Sequence, residues 1–209
     1  MNAGTRAELA YEEVKRLVLS GSIAPGQRLD PIRLATGLTA GVTPVREALL
    51  RLAGERVVEM RKNTGFQLPV MTETTLMELY RWTFEVLRIA VASPGWKEGE
   101  RDRAQLAQTP ASDAASLFAA IAQKSARAEI VAQIASANDR LMAARAAEHL
   151  LFGDASAEID GICESIALKS GTLTTELRKY HARRLGNSRE ILATIYKIAG
   201  TTHDPISIL

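Results

Sequence analysis

Arg46 lies in the stretch Thr43-Pro44-Val45-Arg46-Glu47-Ala48-Leu49-Leu50-Arg51. On a helix its i−4 and i+4 neighbours are Val42 and Leu50, so no acid at those places can pair with it. Arg51 differs: it follows Glu47 by four residues, in the order that favours a helical ion pair. Ten residues on, Arg61 and Lys62 lead into Asn63-Thr64-Gly65. Guanidinium groups present paired N–H donors that suit phosphate and other planar acceptors. A glycine at the end of a cationic turn lets backbone come close to such a partner.

Residues suited to other chemistry are sparse. There are three histidines, His149, His181 and His203, and one cysteine, Cys163. No Ser-His-Asp, Cys-His, HExxH, P-loop or GxGxxG pattern is present, so no catalytic residues are expected and an enzyme is disfavoured. The carboxylates are scattered, and none falls in a context that demands a raised pKa. Cys163 reads as a small core side chain. With one cysteine no intrachain disulfide can form, which fits a reducing cytoplasm. No apolar signal core or bilayer-length stretch occurs, so no membrane partner is expected.

The elements that must hold the cationic groups are short. Leu9, Ala10, Val14, Leu17 and Val18 recur at helical spacing over residues 5–20, and Gly21 ends that helix. Pro25-Gly26 marks a turn before a short extended piece. Asp30-Pro31 is an N-cap followed by proline at the first helical place, for a helix ending near Leu38. Thr43-Pro44 repeats that start for a third helix, whose Val45, Ala48, Leu49 and Leu52 form a core-facing stripe. Leu50 lies off the stripe and is expected to pack on a neighbouring helix. After Gly54, "VVEM" and "FQLPV" read as two strands joined by "RKNTG".

From Thr72 on the pattern changes to long helices, near 72–92, 111–123, 126–150, 154–169, 172–184 and 187–198, with breaks at 93–100 and 108–110. Asn187 and Glu190 suggest a capping box. Trp82 and Trp96 are expected at helix contacts. The chain is thus mainly α, with a boundary near residue 70 separating domains 1–70 and 71–209. Charge follows the boundary: ten Lys/Arg against seven Asp/Glu before it, sixteen against seventeen after. Three small helices and a two-stranded hairpin describe a winged helix-turn-helix, whose third helix enters a DNA major groove.

"LAYEEVKRLVLSGSIAPGQRLD", then "LA" at 34–35, then "TPVREALLRLAGERVVEMRKNTGF" resemble the DNA-binding domain of GntR-family bacterial transcription regulators, over about residues 7–70. The remainder is similar to the FCD effector-binding domain of the FadR-type branch. The resemblance implies DNA contacts from Arg33, Thr43, Arg46, Arg51 and Gly65, and the positive charge of Lys62 at the hairpin tip adds it to that set. Many members carry arginine where Val42 stands. Valine can touch a thymine methyl but cannot make the two-pronged contact to guanine.

FCD-like proteins often hold a divalent metal on one aspartate and three histidines. Aligned through Phe118, the corresponding places here are Ala115, Ala119, Ile159 and His181, with Asp113 on another face. No metal and no other cofactor is therefore expected. His181, Arg88, Asn138 and Arg145 are candidate polar lining of an effector pocket. His149 and His203 have no companions at ligand spacing. The implied function is a ligand-responsive regulator, usually a repressor in this family, that binds a palindromic double-stranded operator as a homodimer. Its implied effector is a small organic molecule such as a carboxylic acid. The alternative reading is a helical enzyme, or a protein-interaction module, with a winged helix that does not bind DNA.

Overall fold

The computed structural model describes residues 3–62, 64–98, 113–166 and 170–201. It forms two compact units. One takes in the segment up to Thr72, with Met142–Ala147 and the segment from Leu192 onward; the other takes in Glu73–Leu141 and Glu148–Ile191.

In the first unit, α1 (Ala3–Leu19) buries Ala10, Tyr11, Val14 and Val18, while Leu9 is exposed, off that stripe. The pair Arg28–Leu29 forms strand β1. Helix α2 (Pro31–Gly37) starts as expected: Asp30 Oδ1 accepts from the Ile32 amide at 2.8 Å, and Pro31 follows the cap.

Helix α3 (Val42–Gly54) differs from expectation at its start. Gly41 is the N-cap, with no side-chain capping bond, and Thr43 and Pro44 lie inside the first turn. Proline needs no amide partner there, so the helix can begin ahead of it. The expected stripe is the buried face: Val45, Ala48, Leu49 and Leu52 pack with Val14, Val18 and Leu34. The helix ends in a Schellman arrangement, with Arg56 N–H bonded to Ala53 O at 3.1 Å and Val57 N–H to Leu52 O at 3.0 Å. Arg56 holds the left-handed conformation (φ 63°) that glycine usually takes there.

Strands β2 (Glu59–Arg61) and β3 (Gly65–Gln67) form the hairpin, with Met60 opposite Phe66 and Arg61 opposite Gly65. Val57 and Val58 belong to the core ahead of the strand. Asn63 lies outside the described residues. The sheet has a third strand that the sequence showed only as a short extended piece: β1 pairs antiparallel with β3, in the order β1-β3-β2.

The second unit is built from helices. Helix α4 (Glu73–Ala92) buries Leu76, Leu79, Tyr80, Thr83, Val86, Leu87, Ala90 and Val91. Helix α5 (Pro94–Glu98) carries the buried Trp96. Then come α6 (Ala114–Lys124) and α7 (Ala128–Arg140). The helix expected over 126–150 is two, α7 and α8 (Met142–Leu151), parted at Leu141. No proline or glycine marks this break, so periodicity runs through it. Helices α9 (Ala155–Ile166) and α10 (Ser170–Gly186) follow, then α11 (Ser188–Thr201), which from Leu192 onward falls in the first unit, as Met142–Ala147 of α8 does. The expected capping box is not what Asn187 makes: its amide donates to Arg183 O at 2.8 Å, closing the end of α10. Within the break expected at 93–100, Pro94–Glu98 is the short helix α5; 99–100, the break expected at 108–110, the ends of helices at 111–112 and 167–169, and His203 lie outside the described residues. Phe118, Ile121, Ile134, Ile162 and Leu177 centre this unit's core, with Cys163 buried beside them.

Candidate nucleic-acid interface

The core stripe of α3 decides what the rest of the helix can offer. With Val45, Ala48, Leu49 and Leu52 turned inward, Val42, Thr43, Arg46, Glu47 and Leu50 are left exposed. Leu50 is 46% exposed, so it does not pack as expected on a neighbouring helix. Arg46 is exposed and forms no ion pair or hydrogen bond with any described residue. Val42, Arg46 and Leu50, at i, i+4 and i+8, make one outward ridge with Thr43 beside it.

Arg51 is placed otherwise. Its guanidinium lies over the Tyr11 ring, 3.5 Å from the centroid, and pairs with Glu8 at 3.0 Å and Glu55 at 3.4 Å. Its acid partners are therefore Glu8 and Glu55, not Glu47. Tyr11 Oη donates to both Glu55 oxygens at 2.8 and 2.9 Å, and Lys15 reaches Glu55 at 3.5 Å. Partial burial, then the bond to Glu55, push the Tyr11 phenol above its ordinary range. This cluster pins α1 across α3 and so sets the angle at which the outward ridge is presented.

The hairpin carries the remaining cations. Lys62 is exposed at the turn and makes no contact of this kind with a described residue. Arg61 is tied back to Glu59 at 3.1 Å, and Gln67 Nε2 donates to the same carboxylate at 3.2 Å. Gly65 has φ +73° with open space where a Cβ would point. It ends a turn that Thr64 N–H closes onto Arg61 O at 3.3 Å. Arg33 is exposed on α2. Arg46, Thr43, Lys62, Gly65 and Arg33 thus all lie at the surface of one compact unit.

The second unit holds a cavity of about 420 Å³ between α4 and α10, lined by Arg81, Phe84, Glu85, Arg178, His181, Ala182 and Leu185. His181 is 2% exposed. Its Nδ1 lies 2.7 Å from Leu177 O, and its ring sits among Phe84, Phe118 and Tyr180 at centroid distances of 5.1 to 5.5 Å. Of the four candidate lining residues only His181 reaches this cavity. Arg88 is exposed and held by Glu85 at 2.7 Å. Asn138 donates to Ala115 O at 2.9 Å, tying α7 to α6. Arg145 falls in the other unit. The Asp113 carboxylate caps α6, accepting from the Ser116 amide at 2.8 Å. Among the described residues no three His, Cys, Asp or Glu side chains come together as metal ligands.

One cluster escaped the sequence reading. Glu148 and Arg184, with side chains 5% and 1% exposed, form a buried ion pair at 2.9 Å. Tyr80 and Tyr180 both donate to the Glu148 carboxylate. Arg184 also bonds Glu158 at 2.8 Å and covers the Tyr180 ring at 3.4 Å. Burial, then the Glu148 charge, hold the Tyr80 phenol well above its ordinary range. A carboxylate in a demanding context therefore exists. Only the weak signal of Glu148 between Ala147 and His149, on an alanine-rich helix, could have pointed to it. Beside the cluster, Arg183 pairs with Asp154 at 2.7 Å and lies over Phe152. The bond to Arg183 lowers the Asp154 pKa. Trp82, expected at a helix contact, is 47% exposed.

Residues 6–68 match the model of the bacterial regulatory proteins of the gntR family. The chain is 35% identical over 80 residues to the HTH-type transcriptional regulator McbR of Escherichia coli, covering 38% of this chain and 36% of McbR. It is 30% identical over 95 residues to the HTH-type transcriptional repressor GlaR of the same organism, covering 44% of this chain and 43% of GlaR. The matched segment thus spans well under half the length of these curated relatives. Over the whole fold, the solved structure of E. coli McbR/YncC covers 91% of this chain and 99% of its own, with TM-score 0.64 at 19% identity. A GntR transcriptional-regulator structure from Rhodococcus sp. RHA1 covers 90% and 98%, with TM-score 0.70 at 17% identity. Residues 6–68 of this chain are therefore similar to the gntR family of bacterial regulatory proteins, and the solved structures share the chain's fold.

Proposed function

We infer that the chain is a ligand-responsive transcriptional regulator of the bacterial cytoplasm, acting as a repressor, that binds a palindromic operator as a homodimer. The observation that carries this reading is the exposed Arg46 on the outward ridge of α3, unpaired among the described residues, on a unit that also exposes Lys62 and Gly65 at its hairpin. Such a helix suits a major groove, and such a hairpin suits the flanking backbone or minor groove. Two copies would then read two half-sites about one helical turn apart. Residues 1–70 supply the DNA-binding domain. Residues 71–209 supply an FCD-like effector-binding and dimerisation domain.

The cavity of about 420 Å³ between α4 and α10 has the size of a small-molecule site, and its lining joins Phe84, Ala182 and Leu185 to two cations, Arg81 and Arg178, and one acid, Glu85. A small organic acid suits that lining. Its binding would shift operator affinity by favouring one of two conformational states. No metal is assigned to the site.

The test is DNA binding over a salt series, with genomic and random duplex. A steep fall with salt and a large preference for one sequence are expected. Arg46→Ala should weaken operator binding by roughly 1–3 kcal/mol. Equal affinity for all sequences, or an unchanged operator affinity in Arg46→Ala, would overturn the reading.

A further inference from the structure

The outward ridge of α3 is not uniformly polar. Val42 is 45% exposed in the first turn of the helix, and no core cluster of the unit includes it. Leu50, at the other end of the ridge, is 46% exposed. Between them stands Arg46, free of acid partners among the described residues. A β-branched apolar residue in a first helical turn helps neither helix propensity nor, here, packing. Its exposure leaves its methyl groups free to meet a partner that is itself apolar at that point.

A major groove offers one apolar group on its base edges, the thymine 5-methyl, while guanine O6 and N7 are the acceptors that arginine pairs with best. Four residues of helix advance about 6 Å, and stacked bases are about 3.4 Å apart. Groups at i and i+4 therefore address bases within about two steps of each other. Resting on the DNA-binding reading above, we propose that Val42 is a specificity-determining residue: it reads a thymine methyl within two base pairs of a guanine read by Arg46. The substituent, not the base's hydrogen-bonding edge, is what Val42 recognises, so losing the methyl should cost what losing the valine costs.

The test uses the full chain. An operator is selected from a random duplex pool, and each of its thymines is then replaced singly by deoxyuridine, which deletes only the methyl. Wild type should lose about fourfold in affinity at one thymine per half-site, the effect of one buried methylene-sized group. Val42→Ala, which keeps a good helix former at an exposed place, should bind the unmodified operator about as weakly as wild type binds the deoxyuridine form. It should show no further loss at that thymine. Insensitivity of wild type to every deoxyuridine overturns the proposal, as does full sensitivity retained in Val42→Ala. If no sequence is enriched at all, the DNA-binding reading falls and this proposal falls with it. A selected operator with no methyl effect refutes Val42 alone.

Discussion

Replacing Arg184 by methionine removes the cation from a site where Glu148 stays behind. In the intact protein the Glu148 carboxylate accepts from Tyr80, Tyr180 and Arg184, and neither charged side chain is more than 5% exposed. Methionine fills much of the volume but leaves the carboxylate with two phenols and no counter-charge. Breaking one side of a buried pair costs about 3–5 kcal/mol, a large share of a total stability of about 5–15 kcal/mol. The lost bond to Glu158 adds little, because that side chain is 20% exposed and can turn to water. Glu148→Gln should cost less, since Arg184 keeps Glu158 and the Tyr180 carbonyl. Combining Glu148→Leu with Arg184→Met removes both charges at once and should bring stability back close to the starting value.

Urea unfolding followed by circular dichroism measures the deficit of Arg184→Met. A deficit under about 1 kcal/mol would refute the assignment of Glu148 and Arg184 as a mutually dependent buried pair.

The hairpin, the end of α3 and the helical unit yield further expectations. Lys62→Ala should lower the slope of log affinity against log salt by about one, with little change in sequence preference, if Lys62 meets a phosphate; equilibrium binding at several salt concentrations checks this. Arg56→Gly should raise stability by about 0.5–1 kcal/mol, because glycine takes the left-handed conformation after α3 without a Cβ penalty, read as a higher urea midpoint. Asp154 should titrate below the 3.8 of a free aspartate because Arg183 donates to its anion. Its pairing then supports the fold above the unfolded pKa and fades as pH falls through the lower folded value. Carboxyl chemical shifts followed by NMR measure the midpoint, and Arg183→Met should return it to the ordinary value.

The elements around the interface were legible where the signals are local. The α3 stripe follows from helical period, the α2 start from Asp30 and Pro31, and the hairpin from β-branched runs about a glycine turn. Signals that act across the chain were not. Helical spacing offers Arg51 the neighbouring Glu47, whereas it finds Glu8 43 residues away. The two-residue β1 is too short to show a period and exists because β3 offers it an edge. Glu148 and Arg184 are 36 apart in sequence and read as ordinary helix charges until folding buries them together. The break at Leu141 has no local breaker to announce it. Candidate pocket residues fared likewise: polarity named Arg88 and Asn138, but their orientation belongs to packing, which gave one to Glu85 and the other to Ala115.

The two tryptophans, Trp82 and Trp96, both fall in the helical unit, the first 47% exposed and the second 1%. Indole emission is therefore a private optical channel of that unit, with a red-shifted, quencher-accessible component and a blue-shifted, protected one. The segment up to Thr72 is dark in that channel. A titrant that alters the indole spectrum has touched the helices, while one that binds and leaves it unchanged directs attention to the winged segment, without any label being attached.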